Sequence, residues 1–207
     1  MKLTFTEKEI KEIAIASVVL SLAFSLSWID GIFNIASEWA RMPFLFLFSF
    51  IAVGTGFLAH ELIGHKLIAQ HYGMYAEFKM WSLGLFLSFL TSLFGIVIAA
   101  PGAVYISPRI DLWGQETRIT KRNMGIVSVA GPLINIAVAS VFFILNYFIS
   151  SPLFSIGIFV NIWLALFNMI PFPPLDGSKV FFWNKKIWVA VFGLCIVLFL
   201  TANVLII

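Results

Sequence analysis

Charged side chains are scarce in this chain of 207 residues. Asp, Glu, Lys and Arg make up 11% of it and hydrophobic residues 61%, whereas soluble domains carry roughly 25% charged residues. A soluble fold of this length has too little interior to bury so much apolar surface. The sequence therefore predicts an integral membrane protein and excludes a soluble enzyme or binding module.

Three further absences limit the class of protein and the kinds of partner that the sequence allows. The single Cys195 cannot form an internal disulfide and is expected to be a small core residue. A net charge of +3 is too small to indicate a nucleic-acid partner. The first apolar run lacks the small-residue cleavage site of a signal peptide, and neither an internal repeat nor a soluble domain is visible. We expect a single membrane domain over residues 1–207.

Apolar runs long enough to cross a bilayer recur along the chain. Five are expected to be full transmembrane helices: 13–29, 44–72, 126–149, 153–170 and 187–206. A sixth run, 82–100, lies between residues 75–81, whose alternation of polar and apolar side chains predicts a strand, and a second short predicted strand at 103–106. The predicted fold class is an all-α polytopic membrane protein with these two short strands.

The basic residues indicate that residues 82–100 do not cross the membrane. If every apolar run crosses, the basic residues are divided between the two faces, against the positive-inside rule. If 82–100 enters the bilayer and returns, twelve of the thirteen basic residues lie on one face, and only Arg41 lies opposite. We therefore expect a re-entrant or incompletely spanning element, in a multi-pass cell-membrane protein with its basic loops on the cytoplasmic side.

A cluster of ionisable residues interrupts the second apolar run. His60, Glu61 and His65 lie within residues 44–72, and an intramembrane cluster of ionisable groups indicates function because burying them in hydrocarbon is costly. His-Glu followed by a second His on a helix is typical of metalloproteases. In that chemistry the imidazoles bind a metal and the carboxylate activates a water molecule.

The spacing of this motif is unusual. His-Glu-x-x-His is the common form, whereas here Gly64 takes the expected position and His65 follows one residue later. In a regular helix, residues five apart point about 140° away from each other, so both histidines could not share a metal. A π-bulge at Gly64 would absorb the extra residue and leave Glu61 as general base. A regular helix would instead place Glu61 and His65 on one face and make Glu61 a ligand.

A hydrolytic metal site typically has three protein ligands and one open position. Asp176 is the best remaining carboxylate, since it follows the end of a predicted span and lies on the same face as His60 in the topology above. Its setting in Pro-Pro-Leu-Asp-Gly is also good turn chemistry, which is the alternative. His71 is another possible ligand, but its place at the polar end of the helix favours an interfacial side chain.

Three motifs resemble those of the site-2 protease family of intramembrane zinc metalloproteases, in particular its compact archaeal-type members without a PDZ domain. The motifs are His60-Glu61-Leu62…His65, Ala130-Gly131-Pro132-x-x-Asn135 and Asn168-x-x-Pro171-x-x-Pro174-Leu175-Asp176-Gly177. The resemblance implies a catalytic core at 44–72 and 126–178, with peripheral helices at 13–29 and 187–206. It implies zinc (Zn²⁺) held by His60, His65 and Asp176, with Glu61 as base.

The resemblance also has implications for substrates. It implies an intramembrane zinc endopeptidase acting on membrane-embedded segments of transmembrane proteins, and it gives Asn168 and Asn135 a part in holding or polarising the substrate. Interhelical hydrogen bonding is the alternative for both asparagines. The strands at 75–81 and 103–106 could offer an edge to an extended substrate, or could form a covered hairpin. The alternative function is an inactive relative that binds transmembrane segments as a scaffold or regulator.

The predicted topology can be tested with single cysteine-accessibility tags at Lys79 and Arg109. Both tags should report the same side of the membrane, because the element between them is predicted to return to the side on which it began. A tag at Arg41 should report the opposite side. Opposite answers at Lys79 and Arg109 would contradict the re-entrant prediction.

Overall fold

A computed structural model describes residues 4–110 and 113–206. Over these residues the chain is mostly helical with one two-stranded sheet. The helices are α1 (Glu7–Ser27), α2 (Ile35–Glu38), α3 (Met42–Leu58), a π-helix (Ala59–Leu67), α4 (Ile68–His71), α5 (Ser82–Ser92), α6 (Lys121–Phe148), α7 (Pro152–Asn168), α8 (Asp176–Trp183) and α9 (Lys185–Ile206). The strands are β1 (Tyr75–Met80) and β2 (Gly102–Ser107), close to the two predicted strands.

Several helical segments are long and apolar enough to cross a membrane. Among the described residues there are four: Glu7–Ser27, Ile32–His71, Lys121–Phe148 and Lys185–Val204. Large apolar side chains on these segments are exposed, for example Phe44 on α3, Phe143 on α6 and Val204 on α9. Such outward apolar faces are expected where a helix meets lipid. The predicted class, a membrane protein, agrees with this architecture.

The other predicted span, 153–170, forms the shorter helix α7. It has 17 residues, so its length is about 25 Å, compared with a hydrocarbon core of roughly 30 Å. The Ser151 hydroxyl caps its first turn by accepting from Leu153 N, and Pro171 follows its end, where a proline opposes further helix. α7 packs against α3, α6 and α9 and forms the centre of the helical assembly.

Residues 82–100 turn back on themselves. α5 spans 11 residues, or about 16 Å, and residues 96–101 then return without regular secondary structure. The backbone N–H of Trp81 donates to the carbonyl oxygen of Pro101 at 3.0 Å, so the two ends of the element lie side by side. This is the geometry predicted for a re-entrant element.

Side chains satisfy the backbone of the returning segment. The Thr91 hydroxyl accepts from Ile98 N at 3.1 Å, and the Ser88 hydroxyl donates to Ile98 O. The indole N–H of Trp163 donates to Val97 O at 2.8 Å. Irregular backbone within the hydrocarbon region is tolerated only where protein supplies its hydrogen bonds. The two hydroxyls and the indole therefore supply hydrogen-bond partners to the backbone of this segment, as a neighbouring strand does in a sheet.

The two strands pair antiparallel, from Tyr75 opposite Ser107 to Met80 opposite Gly102. In the described part of the chain, each of the two strands pairs only with the other. The sheet therefore has two outer edges, one along β1 and one along β2.

Helix α1 closes the outer edge of β1. The Glu9 carboxylate accepts from Phe78 N at 2.9 Å, and the Glu12 carboxylate accepts from Met80 N at 2.8 Å. Opposite residues of a non-hydrogen-bonded antiparallel pair direct their backbone groups away from each other. Val104, which lies opposite Phe78, therefore directs its N–H and C=O toward the outer edge of β2.

Glu9 also forms a buried ion pair. Its two oxygens lie 2.7 and 2.6 Å from Lys66 Nζ, and each residue is 1% exposed. Through Glu9, the first helix is tied both to the π-helix and to β1. These partners explain why α1 begins at Glu7 and not near residue 13 as predicted: polar residues expected to lie outside the helix are paired within the fold. Residues 176–183, predicted as part of a loop, form α8.

Loss of the Glu9 carboxylate should destabilise the protein. Glu9→Ala leaves the Lys66 ammonium buried without its counter-charge, a change that costs about 3–5 kcal/mol in comparable pairs. The apparent melting temperature in detergent should fall clearly, whereas Glu7→Ala, an exposed position on the same helix, should leave it unchanged. Equal melting temperatures for the two variants would show that the pair contributes nothing to stability.

Candidate metal centre

The local structure of the motif explains how histidines five residues apart can share one face of the helix. Ala59–Leu67 is a π-helix of nine residues, and the hydrogen bonds of a π-helix join residues five apart. His60 and His65 are five apart and project from the same face, with ring centroids 4.6 Å from each other. The prediction of π geometry is confirmed, and the regular-helix alternative is wrong. The widened stretch covers two turns, not one bulge at Gly64.

Two glycines let α6 approach this widened helix. A Cβ atom on Gly64 would lie 2.6 Å from the Cα of Gly131, so the two backbones are in direct contact. A Cβ atom on Gly131 would lie 2.6 Å from His65 Cε1 and 2.7 Å from His60 Cε1. Only glycine at residue 131 leaves room for both imidazoles. The Gly-Pro motif of α6 therefore shapes the space in which the histidines meet.

Three buried side chains converge between α6, α8 and the π-helix. His60 Nε2 and His65 Nε2 lie 3.3 and 2.9 Å from Asp176 Oδ2, and 3.0 Å from each other. The three residues are 2–6% exposed. Four-coordinate zinc, with bonds of about 2.0–2.2 Å to N and O ligands, holds its ligand atoms about 3.3 Å apart. In the described part of the chain, these residues are the one group of His, Cys, Asp and Glu close enough to hold a metal ion.

The hydrogen bonds of the two imidazoles leave their Nε2 atoms available to bind a metal ion. His65 Nδ1 lies 2.9 Å from the carbonyl oxygen of Val127, which can only accept, so Nδ1 carries the proton. His60 Nδ1 faces Oδ1 of Asn135 in the same way. Both Nε2 atoms are then proton-free and directed at the Asp176 carboxylate. Three electron-rich atoms so close together repel one another unless a cation lies among them, and the donor set therefore fits a metal ion.

Asp176 is held by its neighbours. It is the first residue of α8, and its Oδ1 lies 3.3 Å from Lys179 Nζ one turn later. This leaves Oδ2 for the histidine side of the centre. The turn-residue alternative for Asp176 does not describe its position, because a residue serving only the turn would not bring its carboxylate to both imidazoles.

Glu61 lies beside the metal donors and takes no part in the donor group. It is 5% exposed, and among the described residues its Oε2 has no hydrogen-bond partner. The backbone of Val104 in β2 lies near its carboxylate. A cleft of about 810 Å³ opens there, lined by Glu61, His65, the β2 strand and Lys179 among others. Glu61 thus meets both the cleft and the metal donors.

The two motif asparagines occupy different places. Asn168, the last residue of α7, lines the cleft and donates from Nδ2 to Leu164 O at 3.0 Å. Asn135 is fully buried behind His60, and its amide joins α6 to α3 and α7, as the interhelical alternative described. His71 lies at the end of α4 and is not among the grouped donors.

The sequence did not predict several contacts at the centre. The amide of Asn161 in α7 bonds to Asn135 at 3.0 Å, and Lys179 bonds to Asp176. A polar side chain in an otherwise apolar run is a signal that could have singled out Asn161. Nothing in the sequence marks the backbone carbonyl of Val127 as the partner of His65, because a backbone acceptor has no residue identity.

Comparison with known proteins gives one strong match. The chain is 42% identical over 196 residues to a curated Methanocaldococcus jannaschii protein named "putative zinc metalloprotease", and the match covers 92% of this chain and 91% of that protein. No protein-family model matches the chain, and no solved structure matches it. Together with the buried group of His60, His65 and Asp176, the similarity supports zinc as the cofactor.

Zinc content tests the donor group. Purified protein should carry about one zinc ion per chain, as a single centre requires, and Ala at His60, His65 or Asp176 should lower the occupancy sharply. His71→Ala is the matched control and should retain the metal. Elemental analysis after gel filtration measures all four variants. Full zinc occupancy in Asp176→Ala would show that the third ligand lies elsewhere.

Proposed function

The chain belongs to the same family as its zinc metalloprotease relative from Methanocaldococcus jannaschii, and from that premise we propose that it is an intramembrane endopeptidase of the site-2 protease type. One observation carries the proposal: the buried carboxylate of Glu61, whose Oε2 has no hydrogen-bond partner among the described residues, lies beside the convergent donor atoms of His60, His65 and Asp176. Glu61 and both histidines belong to the apolar segment Ile32–His71. Metal-dependent hydrolysis requires a metal site and a base next to it that accepts the proton of the attacking water.

The residues of the centre divide the chemistry between them. Zinc, when bound, polarises a carbonyl group and lowers the pKa of a water molecule to about 7. His60, His65 and Asp176 hold the ion. Glu61 Oε2 accepts a proton from the attacking water and then delivers it to the nitrogen of the departing amine, so that one group serves as base and as acid. Asn168, at the wall of the cleft, holds the substrate in register.

The sheet supplies a binding edge for an extended substrate. A peptide bond in a transmembrane helix is shielded by its own hydrogen bonds, so the segment must be extended before attack. The outer edge of β1 is occupied by Glu9 and Glu12, whereas Gly102, Val104 and Ile106 of β2 line the cleft. A substrate added as a strand to β2 would pass Glu61, because Val104 contacts that carboxylate. The covered-hairpin alternative describes the β1 edge.

The position of the centre supports a substrate within the bilayer. His60, Glu61 and His65 all belong to the membrane-spanning candidate Ile32–His71, which supports a transmembrane protein in the same lipid bilayer as the partner. Lys79 and Lys179 both line the cleft, and both belong to the basic face of the predicted topology. The proposed arrangement is a multi-pass cell-membrane protein whose basic loops and cleft open to the cytoplasm.

An inactive scaffold is the second function considered from the sequence. Its basis was the extra residue between His60 and His65, which would separate the ligands in a regular helix. The π-helix absorbs that residue and brings both imidazoles to Asp176. The geometry therefore favours the enzyme over the scaffold.

A change at Glu61 separates the two functions. Glu61→Gln keeps the size of the side chain but cannot accept the proton, so cleavage should fall by about 10²–10⁴-fold, while zinc content stays at the wild-type level. Cleavage is measured with labelled transmembrane segments reconstituted into liposomes, with Glu38→Gln, a glutamate paired with Arg41, as the control.

Two outcomes would contradict this assignment. Loss of zinc in the Glu61→Gln variant would show that Glu61 is a metal ligand and not the base. A zinc-loaded wild type that binds the labelled segments but cleaves none of them would favour the scaffold.

A further inference from the structure

We propose that Asn161 of α7 is a positioning residue for the metal centre, acting through Asn135 to fix the tautomer of His60. The proposal rests on the metal-binding role of His60 argued above, and it does not depend on proteolysis. Asn161 is fully buried and lies outside the three motifs. It belongs to a chain of side-chain hydrogen bonds that begins at the α7 backbone and ends at the imidazole.

The first link fixes the amide of Asn161. Its Nδ2 donates to the carbonyl oxygen of Gly157, one turn earlier in α7, at 2.9 Å. A carbonyl oxygen can only accept a hydrogen bond, so the nitrogen of the amide must point toward Gly157. The Oδ1 atom of Asn161 is thereby directed toward α6 and α3.

The second link fixes the amide of Asn135. Its Nδ2 donates to Asn161 Oδ1 at 3.0 Å and to Gly56 O at 3.3 Å. Both N–H groups of Asn135 then have acceptors, and its Oδ1 faces the imidazole. Helix α3 comes close at this point: a Cβ atom on Gly56 would lie 2.2 Å from Asn161 Oδ1. Three helices therefore meet around the two amides.

The third link selects the tautomer of His60. Because Asn135 Oδ1 only accepts, His60 Nδ1 carries the proton and Nε2 is free to bind a metal. Rotation of the Asn135 amide by half a turn would present N–H groups to Nδ1 and move the proton to Nε2, where it blocks the metal. The rotated oxygen would also face Asn161 Oδ1 and Gly56 O, and such unpaired acceptors are expensive inside a membrane protein.

His60 needs this support and His65 does not. The partner of His65 is the backbone carbonyl of Val127, which lies in a helix and cannot exchange its acceptor for a donor. The partner of His60 is a side-chain amide that carries both an acceptor and donors. Two fixed acceptors hold that amide in one orientation, the backbone carbonyl of Gly56 and Oδ1 of Asn161, and Asn161 accepts the shorter of the two hydrogen bonds.

The first experiment measures zinc affinity by chelator competition. Asn161→Ala removes the acceptor and should weaken zinc binding by about 10–100-fold, the usual effect of losing a residue that orients a metal ligand. Asn161→Asp keeps an oxygen for Asn135, and as the neutral acid it can also donate to the carbonyl oxygen of Gly157, so it should restore most of the affinity. The matched control is Asn203→Ala: Asn203 also donates to the carbonyl one turn earlier, at 2.7 Å, but lies in α9 away from the centre. Equal affinities for Asn161→Ala and Asn203→Ala would overturn the proposal.

A double-substitution cycle tests the route of the effect. If Asn161 acts through Asn135, then Asn161→Ala should cause no further loss of zinc affinity in a protein that already carries Asn135→Ala. An undiminished loss in that background would show that Asn161 acts by another route and would overturn the relay. Cleavage is not measured in either experiment, so a failure here leaves the Glu61→Gln test of the proposed function intact.

A spectroscopic experiment needs no variant at Asn161 and so does not depend on its folding. The chain has three histidines, and ¹⁵N NMR of the zinc-free, histidine-labelled protein distinguishes the two neutral tautomers. The His60 signal, assigned by its loss in His60→Gln, should be that of the Nδ1-protonated ring. An Nε2-protonated ring at His60 would overturn the proposal.

Discussion

The convergence of three proton-free donor atoms in the buried space between the π-helix, α6 and α8 is the constraint on which the structure depends. Two imidazole nitrogens and one carboxylate oxygen cannot be placed about 3 Å apart unless other groups hold them there. The π-helix brings the histidines to one face, and Gly64 and Gly131 let α6 close over them. The first turn of α8 then delivers Asp176. Each of these features is a weak element alone and is stabilised by packing against the others.

A second constraint comes from the backbone of the re-entrant segment and the sheet. Extended and irregular backbone has polar groups that need hydrogen-bond partners wherever water is excluded. Ser88, Thr91 and Trp163 supply partners to the returning segment, and the α1 carboxylates supply them to β1. The β2 edge borders the cleft, beside Glu61. The carboxylates of Glu9 and Glu12 thus close the outer edge of β1, whereas the outer edge of β2 borders the cleft.

Local patterns in the sequence predicted much of the fold. Alternation predicted the strand at 75–81, and a second short strand was predicted at 103–106. The basic residues predicted the return of 82–100, and the spacing of His60 and His65 left a π geometry as one of two possibilities. The start of α1 and the helix α8 were missed. Glu9 lies inside a helix because Lys66 and Phe78, far along the chain, take up its carboxylate. Such pairings have no local signal, since the partners are joined only when the chain is folded.

The sequence by itself determined the chemistry of the centre: the ligand types, the carboxylate beside them and the apolar setting all follow from residue identity and spacing. Only the tertiary structure decided how these side chains are placed and hydrogen-bonded. It selected the π-helix over the regular helix and placed the Asn135 amide and the Val127 carbonyl against the imidazoles. It also placed Asn161 against Asn135. The reason is physical: the direction of a hydrogen bond depends on which donor and acceptor meet, and helices distant in sequence meet only through packing.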